Sequence, residues 1–141
     1  MSSTLYNVDI LRLAATTADF PRLSDAQASA EKRSPICGSR IIVDVCLDNN
    51  GRIINVGAEV RACALGQASA ALMAQHAVGH NFADVEEASA ALGLFLKGAS
   101  DTPGTWPGLS IFGPARAHSA RHASIRIAFE ALAEAAAQAA R

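Results

Sequence analysis

The chain has 141 residues and a formal net charge of -1 at pH 7, and 50% of its residues are hydrophobic but only 5% aromatic. This length suits one domain with one core, so we expect a single domain over residues 1–141 with a core of small side chains. The charge balance excludes the basic face that nucleic-acid binding needs, and no apolar run reaches the ~18 residues of a membrane span.

The first predicted element is a helix over residues 4–18, TLYNVDILRLAATTA. Its predicted apolar side consists of Leu5, Val8, Leu11, Leu13 and Ala15. Pro21 ends this helix, because proline cannot continue the helical hydrogen bonds. Residues 24–38 are polar and indicate mainly loop, with a weak strand signal over residues 28–34.

Two segments with a period of two follow, SRIIVDVCLD and RIINVGAEVR, joined by DNNG at residues 48–51. The first places on one face Ile41, Val43, Val45 and Leu47. The second places on one face Ile54, Val56, Ala58 and Val60, opposite Ile53, Asn55 and Glu59. This pattern predicts a β-hairpin with one buried face.

Three helical segments come after the hairpin. Residues 64–78 predict an alanine-rich helix that stops near Gly79, and residues 84–97 predict a second, with Asp84 and Glu87 at capping-box spacing. Residues 98–108 form a Gly/Pro-rich connection. Residues 119–140 predict the last helix, with an apolar stripe of Ile125, Phe129, Leu132 and Ala136.

Three cysteines carry most of the chemical information. Residues 1–13, MSSTLYNVDILRL, lack the features of a secretory signal. We therefore expect a cytoplasmic protein in which the three cysteines are reduced thiols. Cys46 lies in mid-strand and is typical of a packing residue. Cys63 lies at a helix N-terminus, where backbone N–H groups favour a thiolate, and Cys37 precedes the first hairpin strand.

The two ends of a hairpin lie side by side. We therefore expect Cys37 and Cys63 to approach each other, with Cα atoms within roughly 7 Å. Two converging thiols suggest a soft-metal or sulfur site. Unrelated packing cysteines are the alternative interpretation.

Two segments also carry a resemblance to a known family. SPICGSRIIVDVCLDNNGRI and RACALGQASAALMAQHAVG resemble the NifU/IscU/SufU-type scaffold proteins of iron–sulfur cluster assembly. The family pattern is Pro-x-Cys-Gly-Asp before a strand, then Gly-Cys-x-x-x-x-Ala-Ser-Ala opening a helix. The matching residues are Pro35, Cys37, Gly38, Cys63, Ala68, Ser69 and Ala70. The resemblance implies a SufE/NifU-like α+β fold, with a small antiparallel sheet of about three strands packed against several helices.

The sequence departs from the family pattern at two ligand positions. The family site uses three cysteines and an aspartate, and in some branches a histidine. Ser39 stands at the position of the aspartate. Aligning ARHASIRIAFEAL without a gap places Ser124 at the position of the third cysteine. A one-residue shift instead matches His122 to the family's histidine and leaves Ala123 at the cysteine position.

Zinc sites and clusters usually take four protein ligands, so two thiolates hold either weakly unless another group completes the site. His122 is the best local candidate, which gives a predicted metal-ligand set of Cys37, Cys63 and His122. The weaker candidates are His76, His80 and His118. Glu86 and Glu87 are typical of a solvated helix face.

The leading functional hypothesis is a non-enzymatic, scaffold-like protein of iron–sulfur cluster assembly. Through Cys37 and Cys63 it would accept sulfur, or bind iron, zinc or a labile cluster, with a cysteine desulfurase as the partner that the resemblance implies. The alternative is a degenerate homologue that acts as a binding or regulatory module for the desulfurase. A third hypothesis is a small thiol-dependent sulfurtransferase.

Overall fold

The computed structural model describes residues 6–35 and 38–141. The strands are β1 (Ala28–Arg33), β2 (Arg40–Leu47) and β3 (Ile53–Arg61). The α-helices are α1 (Val8–Ala15), α2 (Ala64–His76), α3 (Phe82–Leu96) and α4 (His122–Ala139). Shorter 3-10 segments cover Thr16–Asp19, Leu109–Ala117 and Ser119–Arg121. This α+β architecture confirms the predicted fold class.

The three strands form one antiparallel sheet in the order β1–β2–β3, so the predicted hairpin and the weakly predicted first strand are both confirmed. The inner face of β2 supplies the buried side chains Ile41, Val43, Val45 and Leu47. Helix α4 packs on β1 and β2, and α2 packs on β3. Helix α3 packs against α4, and α1 packs against α2.

The predicted face of β3 is wrong at its first residues. The register between β2 and β3 shifts at Cys46 and Leu47, so that Leu47 pairs with Ile53 while Cys46 pairs with Asn55. A β-bulge adds one residue to a strand and changes the face of its neighbours. Ile53 is therefore fully buried, and Ile54 is 55% exposed.

The predicted apolar side of the first helix is also wrong. The described helix begins at Val8, where the Asn7 side chain accepts a 2.9 Å hydrogen bond from the Ile10 N–H. Ile10 and Ala14, four residues apart, are its buried residues, whereas Val8 is 59% exposed and Leu11 is 52% exposed. Eight residues make only two turns, and one i, i+4 pair suffices to meet α2. Leu5 lies outside the described residues.

The three later helices occur where the sequence predicts them, with shifted boundaries. Helix α3 begins earlier than predicted, because its capping box joins Asn81 to Asp84 rather than Asp84 to Glu87. Helix α4 begins after a 3-10 turn, and its predicted stripe is fully buried: Ile125, Phe129, Leu132 and Ala136. No helix within the two described ranges is both long and apolar enough to cross a membrane.

A buried carboxylate fastens a loop across the outer face of the sheet. Asp44 on β2 is fully buried and accepts hydrogen bonds from Arg22 Nε at 2.7 Å and from the Leu23 N–H at 2.9 Å. Gly57 leaves room for this loop, because a Cβ there would overlap the Pro21 carbonyl oxygen. Burial raises the pKa of Asp44, but the bonds from Arg22, Ser29 and Leu23 outweigh it and hold the pKa below its usual value.

Replacing Asp44 by asparagine should lower the free energy of unfolding by about 1–3 kcal/mol at neutral pH, because buried donors lose a charged acceptor. Because the pKa of Asp44 is lower in the folded state than the value of about 4 in the unfolded state, the ionised carboxylate stabilises the fold above about pH 4. This stabilisation is lost as the pH falls through the folded-state pKa. The difference in the free energy of unfolding between wild type and Asp44→Asn, measured by urea unfolding, should therefore decrease below about pH 4.

The matched control is Asp101→Asn, because the Asp101 side chain is fully exposed. It should change stability by less than about 0.5 kcal/mol. Equal stabilities of wild type and Asp44→Asn at neutral pH would contradict the assigned role of this carboxylate.

Candidate functional site

Cys63 lies where β3 ends and α2 begins. It is the N-cap residue of α2, with extended backbone angles (φ -65°, ψ 171°), and its side chain is half-buried. The first backbone N–H groups of a helix have no partner within the helix and favour negative charge. The position predicted from the sequence for this thiol is therefore confirmed.

Two buried serine hydroxyls form a chain of contacts that ends at the thiol. Ser39, just before β2, and Ser124, in the first turn of α4, have relative exposures of 4% and 1%. Their Oγ atoms are 2.9 Å apart, and the Oγ of Ser124 is 3.6 Å from the Sγ of Cys63. Three parts of the chain that are distant in sequence therefore converge on one polar cluster, which we call the Cys63–Ser124–Ser39 cluster.

The close approach of α4 to α2 creates this cluster. Gly66 lies in the first turn of α2, and a Cβ there would come within 2.6 Å of the Oγ of Ser124. Ser69, one turn further along, is fully buried and donates a 2.6 Å hydrogen bond to the Ile125 carbonyl oxygen. Glycine at 66 and serine at 69 therefore let the first turn of α4 lie directly on α2.

The surroundings of Cys63 favour its thiolate. Burial, the largest single influence, raises the pKa of the thiol. The N–H of Gly66, the hydroxyl of Ser124, the N–H of Leu65 and the hydroxyl of Tyr6 act in the opposite direction, and together they lower the pKa below its usual value. A larger fraction of Cys63 is therefore a nucleophilic thiolate at neutral pH than for an ordinary cysteine.

The other predicted site residues have different outcomes. Cys37 lies outside the described residues, so its predicted distance from Cys63 stays a prediction. The Nε2 atom of His122 donates to the Ala115 carbonyl oxygen at 2.9 Å, and its ring lines a groove beside α3.

Cys46 is half-buried on the outer face of β2, 3.7 Å from the Asp25 carbonyl oxygen. His80 pairs with Asp84 at 3.2 Å, away from the thiol.

The described donors do not make a four-ligand metal site. Among residues 6–35 and 38–141, no three side chains of His, Cys, Asp or Glu converge closely enough to hold a metal ion. The described side chain that contacts Cys63 at this point is Ser124, which is in turn bonded to Ser39, and hydroxyls are poor ligands for zinc or iron next to a thiolate. By themselves, the described groups beside Cys63 do not supply the donors of a tightly held zinc ion or a stable cluster.

The sequence indicates Ser39 and Ser124 only as replacements at two ligand positions of the family, and no sequence pattern indicates their contact with each other. The ungapped alignment, which places Ser124 at the position of the third cysteine, was the available signal. The structure agrees with that alignment, because Ser124 is the residue of the α4 start that contacts Cys63. The hydroxyl of Tyr6 also acts on the thiol, and no sequence motif indicated it.

The fold and the cysteine at the start of α2 define a NifU-like scaffold domain. A nitrogen-fixing NifU-like protein (N-terminal) from Brucella abortus matches with a TM-score of 0.88 and 32% identity, over 96% of this chain and 94% of that chain. On this likeness the chain belongs to the NifU/IscU/SufU-type family.

A second solved structure has the same fold at lower identity. It is a proposed iron–sulfur cluster assembly scaffold protein for the SUF system from Fervidobacterium islandicum AW-1. It matches with a TM-score of 0.85 and 17% identity, over 94% of this chain and 96% of that chain. No protein-family model and no curated protein sequence matches this chain.

Replacing Ser124 by alanine should raise the pKa of Cys63, because one hydrogen bond to the thiolate is lost. The measurement is the pH dependence of iodoacetamide alkylation in a Cys37→Ser, Cys46→Ala background, where Cys63 is the remaining thiol. The midpoint of the rate profile should move to higher pH. Ser110→Ala, at an exposed position, should leave it in place; an unchanged midpoint in Ser124→Ala would contradict this account.

Proposed function

We propose that this chain is a scaffold-like protein of iron–sulfur cluster assembly whose principal chemistry is the acceptance of sulfur by Cys63. The observation that carries the proposal is the set of hydrogen-bond donors around that thiol: helix N–H groups and Ser124 favour a thiolate. A thiolate is the form of cysteine that attacks sulfur.

The transfer step needs only this thiolate and a partner persulfide. The Sγ of Cys63 attacks the outer sulfur of a persulfide on the partner, and a new S–S bond forms as the old one breaks. The partner's cysteine leaves as a thiolate, so one S–S bond replaces another and no external oxidant or reductant is needed. The product is a persulfide on Cys63.

The family and this chemistry together support a cysteine desulfurase as the partner. We propose that the chain receives sulfur without itself catalysing a substrate turnover, and that it works in the cytoplasm. Binding of nucleic acid is not part of this proposal, because the formal net charge is -1.

Metal enters the proposal as cargo. Cys37 and Cys63 would hold iron, zinc or a nascent cluster in a labile manner, because the described neighbours of Cys63 are hydroxyls rather than further thiolates. The ligand role of His122 stays a prediction. Its Nε2 atom donates to the Ala115 carbonyl oxygen and the residue lines the groove beside α3, so a ligand role would require the side chain to turn toward Cys63.

A second candidate function is a binding or regulatory module for a desulfurase that carries no sulfur. The replacement of two family ligand positions by Ser39 and Ser124 favours it, because loss of cluster assembly would leave the fold intact. The two functions differ in one observable: only the sulfur acceptor acquires a persulfide.

Incubation with a cysteine desulfurase and excess cysteine should add the mass of one sulfur atom to Cys63, detected by intact mass and peptide mapping. Cys63→Ser should abolish the addition at this position, and Cys46→Ala should leave it unchanged. An unmodified Cys63 in wild type, under conditions where the desulfurase carries its own persulfide, would favour the regulatory module.

Restoring the family pattern should create a tight metal site. The double variant Ser39→Asp, Ser124→Cys should bind zinc at least about 100-fold more tightly than wild type, because it adds two ligands to the thiolates. Competition with a chelator of known affinity measures this ratio. Equal affinities would show that these two positions do not face the metal.

His122→Ala belongs in the same assay. A ligand role predicts about tenfold weaker zinc binding than wild type. An unchanged affinity would remove His122 from the metal site.

A further inference from the structure

A groove with positively charged walls lies between the end of α3 and the start of α4. Its volume is about 270 Å³, and it is lined by Gly93, Leu96, Lys97, Ser119, His122 and Arg126. This volume corresponds to several water molecules, since one takes about 30 Å³ in the liquid. The groove therefore has room for a small ligand of the size of phosphate or citrate.

The cationic groups of the groove are only partly neutralised. Arg126 has one carboxylate neighbour, Glu130, with 3.8 Å between Nη1 and Oε2, and both side chains are about 40% exposed. Lys97 has no carboxylate within ion-pair distance in the part of the chain that the structure describes. The chain's other lysine, Lys32, has Glu134 at 3.2 Å. The groove thus gathers positive charge in a chain whose net charge is -1.

Local packing holds the walls in place. The ring of His122 is anchored through Nε2 to the Ala115 carbonyl oxygen. The Arg126 side chain lies near α3 at Gly93, because a Cβ at that position would make an ordinary 3.9 Å contact with the Cδ of Arg126. Ser119 adds a hydroxyl that can donate a hydrogen bond. The groove thus offers an incoming anion the Lys97 ammonium, the Arg126 guanidinium and the Ser119 hydroxyl.

The groove is separate from the thiol. Ser124 contacts Cys63 and Ser39, whereas His122 and Arg126, four residues apart on the same helix, line the groove beside α3. Residues at i and i+4 share one side of a helix, and a residue two positions from either lies on another side. A ligand in the groove would not occupy the site of sulfur transfer.

We propose that this groove binds a small oxyanion, a molecule with a phosphate or carboxylate group, through Lys97 and Arg126. Guanidinium and ammonium groups form charge-assisted hydrogen bonds with such oxygens, and arginine can offer two parallel N–H donors. His122 and Ser119 form the walls that limit the size of the ligand.

The test is a titration of the full chain with inorganic phosphate and, separately, with citrate, at an ionic strength held constant with sodium chloride. Backbone amide NMR signals of residues 93–97 and 119–126 should shift in a saturable way, with a Kd of about 0.1–10 mM for at least one of the two anions. The tighter ligand then distinguishes phosphate from carboxylate chemistry. Shifts that do not saturate, or that sodium chloride alone reproduces, would overturn the proposal.

Substitutions locate the site. Lys97→Gln and Arg126→Gln should each weaken binding by about tenfold, because each removes one charged hydrogen bond. Arg126→Lys keeps the charge and should lose less affinity than Arg126→Gln. Arg12→Gln, on α1, makes the same charge change away from the groove and should leave the affinity unchanged. Saturable binding that survives both Lys97→Gln and Arg126→Gln would overturn the assignment to this groove.

Discussion

The contact between the first turns of α2 and α4 is the constraint on which the site depends. Gly66 leaves no side chain between the two helices, and Ser69 bonds the Ile125 carbonyl oxygen. The start of α4 consequently lies beside Cys63, where α2 begins. A larger residue at position 66 would separate the helices and move Ser124 away from the thiol, because a Cβ there already comes within 2.6 Å of its Oγ.

Because of this contact, the residue at position 124 on α4 determines which group lies beside Cys63. A cysteine at position 124 would add a thiolate beside Cys63, whereas serine adds a hydroxyl that donates to the sulfur and pairs with Ser39. Hydroxyls stabilise a thiolate through hydrogen bonds but bind soft metals poorly. The same backbone therefore supports sulfur acceptance more readily than tight metal binding.

Much of the fold could be predicted because the hydrophobic periods of β2 and α4 are long and regular. The face of β3 could not, because the bulge that exposes Ile54 depends on pairing with β2 rather than on the sequence of β3 alone. The position of Cys63 at a helix N-terminus could be predicted, because the residue lies between a strand pattern and a helix pattern. The contact of Ser39 with Ser124 could not be predicted, because 85 residues separate them and only the packing of α4 brings them together.

The metal and acid-labile sulfide content of protein purified without oxygen tests the central claim most directly. The comparison is with a Cys37→Ser, Cys63→Ser double variant prepared in parallel. This account predicts that wild type carries less than one equivalent of iron or zinc, that dialysis against a strong chelator removes it, and that the double variant carries less still. Stoichiometric metal with matching acid-labile sulfide that survives the chelator would contradict it, because Cys63 would then be a ligand of a complete metal site.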